Sequence, residues 1–231
     1  MKTILICSQK GGTSKSTTAT NLSSMLATRG QKTLLVDGDI QGTSMSFSAR
    51  RKAHDFTLKV LNDEQMAVAT AFDATLEKAS REFDYCVIDL GGYDGNTLRI
   101  ALSSKLVDVA IIPCIASYPD IETLPHMNKL ISTANEIRGE AIAAHVLFTR
   151  CSTAPRSKVH NSGKEFVAKY CDALSNLDSR TCERVSYKNA IGLAQSVEEF
   201  ETESKSRNRK GSQEMNSLLS EIMNIFKAND N

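Results

Sequence analysis

No CxxC pair occurs among the six cysteines of this 231-residue chain, and Cys7, Cys86 and Cys114 each sit inside an apolar run. Cysteine placed that way behaves as a small buried hydrophobe, which argues against a disulfide framework and for a reducing cytoplasm. No apolar run approaches the roughly 18 residues that suggest a bilayer span, and no leader-like amino terminus is visible. His54, His126, His145 and His160 lack the spacing of metal ligands. Neither sign of charge dominates: 28 Lys and Arg stand against 27 Asp and Glu, a net charge of +1. The chain is therefore no polycation, and any grip on nucleic acid must come from a local patch. Repeats and low-complexity segments are absent too.

What remains is a length and composition suited to one α/β domain, expected to span residues 1–231. Short apolar runs predict strands at Thr3–Cys7, Thr33–Val36, Phe56–Lys59, Tyr85–Ile88, Val109–Pro113, Ala143–Phe148 and Cys182–Val185. Several are continuous, not alternating, as in strands covered on both faces. Helical periodicity fills the gaps, most clearly over Pro119–Arg138 and from Met215 to Phe226. The polar stretch Glu198–Gln213 reads as a surface loop before that last helix. The alternation predicts a mostly parallel twisted sheet flanked by helices on both faces.

One segment carries the chemistry. After the apolar Ile4-Leu5-Ile6-Cys7 comes Ser8-Gln9-Lys10-Gly11-Gly12-Thr13-Ser14-Lys15-Ser16-Thr17, then a helical pattern. Strand, glycine-rich loop, lysine, hydroxyl and helix form a phosphate loop for a nucleoside triphosphate. Backbone N–H groups from Gly11 to Thr17 cradle phosphate oxygens, and the helix starting near Lys15 turns its positive end toward them. Lys15 reaches the β- and γ-phosphates, and the Ser16 hydroxyl sits on Mg²⁺. Lys10 has no role in an ordinary phosphate loop. Strand ends add carboxylates: Asp37 and Asp39 after Leu34-Leu35-Val36, and Asp89 after Cys86-Val87-Ile88, followed by Gly91-Gly92. A carboxylate so placed holds the metal or its water shell, or orients the attacking water.

The loop, the Val-Asp-x-Asp and the Tyr-x-x-x-Asp strand together resemble the deviant-Walker P-loop ATPases, above all the ParA-type partition ATPases. The likeness continues through Ile111-Ile112-Pro113, Ser117-Tyr118-Pro119-Asp120, Leu147-Phe148-Thr149-Arg150, Glu183-Arg184 to Ala190, Ser196-Val197-Glu198-Glu199 and Lys205-Ser206-Arg207. With the first strand expected so near the amino terminus, it is the short form, without an N-terminal DNA-binding domain, that the chain resembles. The resemblance implies an Mg²⁺-dependent ATPase that dimerises around two ATP molecules, with Lys10 crossing to the partner's phosphates. It assigns water positioning to Asp39, support of the metal and its waters to Asp37 and Asp89, and phosphate contact to Thr17. The adenine is expected near Thr149-Arg150 and Val185–Lys188. The chain departs from the pattern at Ser14, where glycine is usual, and at Ile40, where proline follows the second aspartate. Both departures bear on hydrolysis more than on binding, and a slow, partner-stimulated ATPase is implied.

By the same resemblance the dimer binds DNA without sequence preference and is nucleoid-associated in the cytoplasm. Lys205, Arg207, Arg209 and Lys210 are the expected contacts, with Arg184 and Lys188 beside them. A small centromere-binding partner would stimulate hydrolysis, and plasmid or chromosomal DNA would be the cargo. The rival is a MinD-like ATPase that works at a membrane or positions a protein complex such as conjugation machinery. An ending with one lysine and two acids from Ser220 to Asn231 suits an anionic bilayer poorly. A metabolic ligase on the same scaffold would need a substrate pocket that no residues here point to.

Overall fold

The computed structural model describes every residue except 53, 54, 56, 61–67, 93, 94, 155–157, 230 and 231. Among the described residues seven strands form one sheet: β1 (Lys2–Ile6), β2 (Thr33–Gly38), β3 (Thr57–Val60), β4 (Tyr85–Leu90), β5 (Val109–Ile115), β6 (Ala143–Cys151) and β7 (Ser175–Cys182). All neighbours are parallel, in the order β3-β2-β4-β1-β5-β6-β7. The connecting helices are α1 (Lys15–Thr28), α2 (Thr43–Arg50), α3 (Ala69–Ala79), α4 (Asn96–Ser103), α5 (Tyr118–Ile121), α6 (Leu124–Arg138), α7 (Val159–Tyr170), α8 (Val185–Gly192), α9 (Val197–Glu203) and α10 (Lys210–Asn229).

The continuous apolar runs are explained by two separate cores. In β1, Ile4 and Ile6 face one layer with Leu22, Met25 and Leu26 of α1 and Leu218 and Ile222 of α10. Leu5 and Cys7 face the other, with Phe72 and Leu76 of α3, Leu98 of α4 and Met127 and Ile131 of α6. Both faces of such a strand are buried, from Thr3 onward in β1, so alternation disappears. On the second layer α7 lies hard against β6. A Cβ on Gly163 would fall 2.6 Å from the Phe148 ring, so glycine permits the close approach.

Three expectations need correction. The seventh strand is Ser175–Cys182, not Cys182–Val185, which is the strand's last residue and the turn into α8. Its sequence, Ser-Asn-Leu-Asp-Ser-Arg-Thr-Cys, is polar because it is an edge, with Leu177 its one fully buried apolar side chain. The carboxylate of Glu221 in α10 accepts the Asp178 and Ser179 backbone N–H groups at 2.7 and 2.9 Å. The long helix over Pro119–Arg138 is two helices, α5 and α6, broken at Glu122-Thr123. The stretch from Glu198 to Gln213 is mostly helical: α9 fills its start and α10 begins at Lys210. Ser196 and Glu199 close a capping box on α9, and buried Glu201 receives Gly211 N–H at 3.2 Å and Ser212 N–H at 2.9 Å. Phe56 of the expected third strand lies outside the described residues, while its remainder is β3.

Candidate nucleotide site

The register brings the chemistry to one end of the sheet. Asp37 of β2 pairs with Asp89 of β4, and Asp89 pairs in turn with Ile6 of β1, where the phosphate loop begins. Ligands of open parallel sheets bind at this carboxyl edge. The loop crosses it with two left-handed residues, Gly12 at φ 77° and Ser14 at φ 76°. A serine held there costs about 1–2 kcal/mol that glycine would not.

Inside the loop, Ser8 Oγ and Thr13 Oγ1 are 2.8 Å apart, and Thr149 Oγ1 donates to Thr13 O at 3.0 Å. Lys15, 6% exposed, donates from Nζ to Lys10 O at 3.1 Å and lies 3.4 Å from Ser8 Oγ. Burial lowers its pKa, and Asp89 and Asp39 oppose that. A buried ammonium held by one carbonyl and one hydroxyl, beside carboxylates, is primed for an anion that completes its shell. A Cβ on Gly92 would stand 2.9 Å from Lys10 O and from Lys15 Nζ, so the Gly91-Gly92 turn closes directly over the loop.

The carboxylates differ in environment. Asp37, buried, accepts N–H bonds from Asp39 at 3.0 Å and Met45 at 2.7 Å; burial still raises its pKa. Asp89, with no exposed surface, accepts from Ser44 Oγ at 2.7 Å through Oδ2, while Oδ1 has no hydrogen-bond partner among the described residues. Burial pushes its pKa up to about 6, the Ser44 and Ser16 hydroxyls pull it down, and Asp37 and Asp39 add to the rise. Half-buried Asp39 stands against Gly91, whose Cβ would lie 3.4 Å from the carboxylate carbon.

Among the described residues no three His, Cys, Asp or Glu side chains gather as a metal cage. The set nevertheless fits Mg²⁺. That ion keeps most of its shell as water and phosphate, and the orphaned Asp89 oxygen, Asp37 and the Ser16 hydroxyl are hard oxygen donors for it or its waters. Asp89→Asn tests the state of this group. Its folded pKa lies above the unfolded value of 3.8, so the native state holds the extra proton between about pH 4 and 6. Stability then falls as pH rises through that window. Without nucleotide, Asp89→Asn is expected to be more resistant to urea at pH 7.5 by about 2–3 kcal/mol, with the gain gone at pH 4. An equal gain at both pH values would show that the native carboxyl is not perturbed.

The phosphate loop, the Asp37–Thr43 segment and Gly91-Gly92 wall an open cavity of about 1030 Å³, closed opposite by Arg150, Glu183, Arg184, Tyr187 and Lys188. Arg150 and the α8 residues thus face the phosphate loop's cavity. Thr149 and Thr13 do not reach it; both are buried under the loop. Lys10 turns away altogether. Its ammonium is 2.8 Å from Asp120 Oδ1, on the α5 side of the loop, and Ser117 Oγ donates to the same carboxylate.

A model of the CobQ/CobB/MinD/ParA nucleotide binding domain matches residues 4–224. The chain belongs to this family. Over 225 residues it is 26% identical to the maintenance of carboxysome distribution protein A of Halothiobacillus neapolitanus, spanning 96% of each chain. Its fold superposes on apo McdA of Cyanthece with a TM-score of 0.73, at 20% identity over 93% of this chain and 99% of that one. The MinD cell division protein of Aquifex aeolicus gives 0.71, at 19% identity over 97% and 98%. The protein is thus a P-loop ATPase of the MinD/ParA kind, with the parallel sheet the sequence predicts.

In this ATPase the six basic residues singled out from sequence divide. Arg184 is committed to Glu214, with bonds of 2.8 and 2.5 Å, and Lys188 lies 3.3 Å from Glu183. Lys205, Arg207, Arg209 and Lys210 are exposed between α9 and α10, and no carboxylate pairs with them among the described residues. Sequence reasoning missed Ser44 as the partner of Asp89, Asp120 as the partner of Lys10, and Glu214, which also receives Tyr187 Oη at 3.1 Å. Asp120 lay inside a quoted motif, yet its partner is 110 residues away, and no local pattern reveals that.

Proposed function

We propose that the protein is a partition-type switch: ATP closes two copies into a dimer, the dimer binds DNA without regard to sequence, and hydrolysis releases it. Lys10 carries the reading. A cation belonging to the phosphate loop, yet lying outside the cavity that loop builds, has an obvious use only against a second copy's triphosphate. Lys15 holds the phosphates of its own subunit. Asp39, half-open beside Gly91, orients the attacking water, and Mg²⁺ supplies charge neutralisation on the phosphate oxygens.

A physical route from phosphates to the basic loop supports this. Helix α2 follows the Asp37–Gly42 segment, and its end is fastened to the α8–α9 turn. Arg50 donates to Gly192 O at 2.7 Å and to Ile191 O at 3.2 Å; Arg51 holds Glu199 at 2.9 Å and Asp55 at 2.7 Å. Glu201, two residues on in α9, holds the start of α10. The membrane reading is disfavoured by α10, whose apolar face is spent on the core through Met215, Leu218, Ile222 and Phe226. Among the described residues no helix is long and apolar enough to cross a bilayer. The full-length likeness to a carboxysome distribution protein favours a protein assembly as cargo; the ParA resemblance favours a plasmid or chromosome, with a small centromere-binding partner stimulating hydrolysis.

Pelleting with ATP against random duplex DNA and against anionic vesicles separates the DNA and membrane readings. DNA capture that needs ATP is the expected result; capture by vesicles alone sinks it. Lys205→Ala with Arg207→Ala is expected to weaken binding on every sequence and to flatten the log-affinity against log-salt slope by about 0.9 per lost phosphate contact. An unchanged slope would place the DNA elsewhere.

A further inference from the structure

Beside the nucleotide cavity lies a second cleft of about 380 Å³, at the carboxyl ends of β6 and β7 and the starts of α7 and α10. Arg180, His160, Lys210, Arg184, Asn161 and Thr153 line it, and among the described residues no carboxylate does. Arg184 is neutralised by Glu214, but Arg180 and Lys210 pair with no carboxylate among the described residues. Arg180 Nη1 is 2.9 Å from His160 Nδ1. Guanidinium only donates, so that ring nitrogen accepts and the imidazole is held neutral, its proton on Nε2. The His160 ring stands edge-on to Phe148 at 6.0 Å, in the place that Gly163 makes possible one turn on. An imidazole, a guanidinium and an ammonium thus converge on a cleft whose lining holds no carboxylate among the described residues.

We infer that this cleft is a phosphate seat for the DNA backbone, with Arg180 and Lys210 as cations and His160 positioning the Arg180 guanidinium. The inference rests on the DNA-binding reading above and extends it to residues outside the basic loop. Nucleic acid is favoured over an acidic protein because Lys210 belongs to both the cleft and the Lys205–Lys210 row, which makes one continuous cationic track. A seat at the start of α10 alone is excluded, since Glu201 already takes the Gly211 and Ser212 N–H groups.

His160 provides an internal reporter. Burial, then Arg180 and Lys164, hold its pKa below the ordinary imidazole value. Lys210 and the Glu214-paired Arg184 face the same cleft, so a phosphate entering it opposes the cationic field on the ring. The experiment uses the full chain with ATP and a random duplex. Arg180→Ala is compared with Lys129→Ala, an equal charge change on α6, and the His160 ring is titrated by NMR with and without duplex. Expected are a salt slope lower by about 0.9 for Arg180→Ala alone, an affinity about three- to tenfold weaker near 0.1 M salt, and a His160 pKa raised by DNA. Wild-type DNA binding with an unshifted His160 and matching slopes for both variants overturns the cleft and leaves the switch standing. A His160 shift with polyglutamate but not duplex overturns it in favour of an acidic protein partner. Absence of any ATP-dependent DNA binding removes both readings.

Discussion

Lys15→Ala is expected to lower ATP affinity by a factor of about 10²–10⁴ while leaving a folded protein. The magnitude follows from the environment. Lys15 is almost fully buried, and in the empty loop its ammonium rests on Lys10 O and Ser8 Oγ, partners a triphosphate oxygen would outdo. A charge-assisted bond of this kind contributes about 1.5–3 kcal/mol, and losing one partner of a buried charge pair costs about 3–5 kcal/mol. Stability of the empty protein should change far less. The substitution removes a desolvated cation, whose pKa burial already lowers, and puts the best helix former at the first position of α1. Titration calorimetry with ATP beside urea unfolding separates the two effects. Near-normal affinity in a stable variant would mean that the phosphates do not lie in this loop.

That prediction could be framed from the chain alone, because the elements behind it are local. Ile4 to Lys15 places strand, turn, cation and helix within a dozen residues, and each piece has its own signature. The strands β1, β2, β4 and β5 were readable for a related reason: they lie inside the sheet, so burial on both faces writes an unbroken apolar run. β7 has no such signature. At the edge, one apolar side chain suffices, and Glu221 from a distant helix pairs its backbone. Helix α9 hid for the opposite cause. It buries Val197 and Glu201 and only half-buries Phe200 among charged neighbours, so apolar periodicity is faint, although the Ser196-Val197-Glu198-Glu199 capping box was there to be read.

The site was readable in the same proportion. Asp37 and Asp89 follow recognisable strands, and their pairing in register is a consequence of β2 lying beside β4. That Ser44 would satisfy one oxygen of Asp89 and leave the other bare depends on how α2 is anchored, which Arg50 and Arg51 decide from six and seven residues further on. The basic residues show the limit of charge counting. Lys188 and Arg184 look equivalent to Lys205 and Arg207 in a sequence, yet Glu183 and Glu214 hold the first two.

Lys10→Ala is expected to separate binding from dimerisation, with Asp120→Asn moving the same equilibrium in the opposite direction. Because Lys10 leaves its own cavity, its loss should alter monomer affinity for ATP by no more than about threefold, the size of a screened distant charge. The dimer loses two charge-assisted contacts, one across each half, so its dissociation constant should rise by about 3–6 kcal/mol, or about 10²–10⁴-fold. Asp120 competes for the same ammonium at 2.8 Å, but the Lys10 side chain is 45% exposed, so solvent screens that pair. An ion pair so exposed is worth at most about 1 kcal/mol, and a dimer releases two, so their removal should tighten the ATP dimer by about thirtyfold at most. The neutral amide keeps the Ser117 contact, so α5 should stay in place. Sedimentation over a range of protein concentration, with a non-hydrolysed ATP analogue, reads both variants. If Lys10→Ala dimerises like the wild type, the ammonium on Asp120 is a surface ion pair and nothing more; if only Asp120→Asn is silent, the lysine crosses the interface without having to be released first.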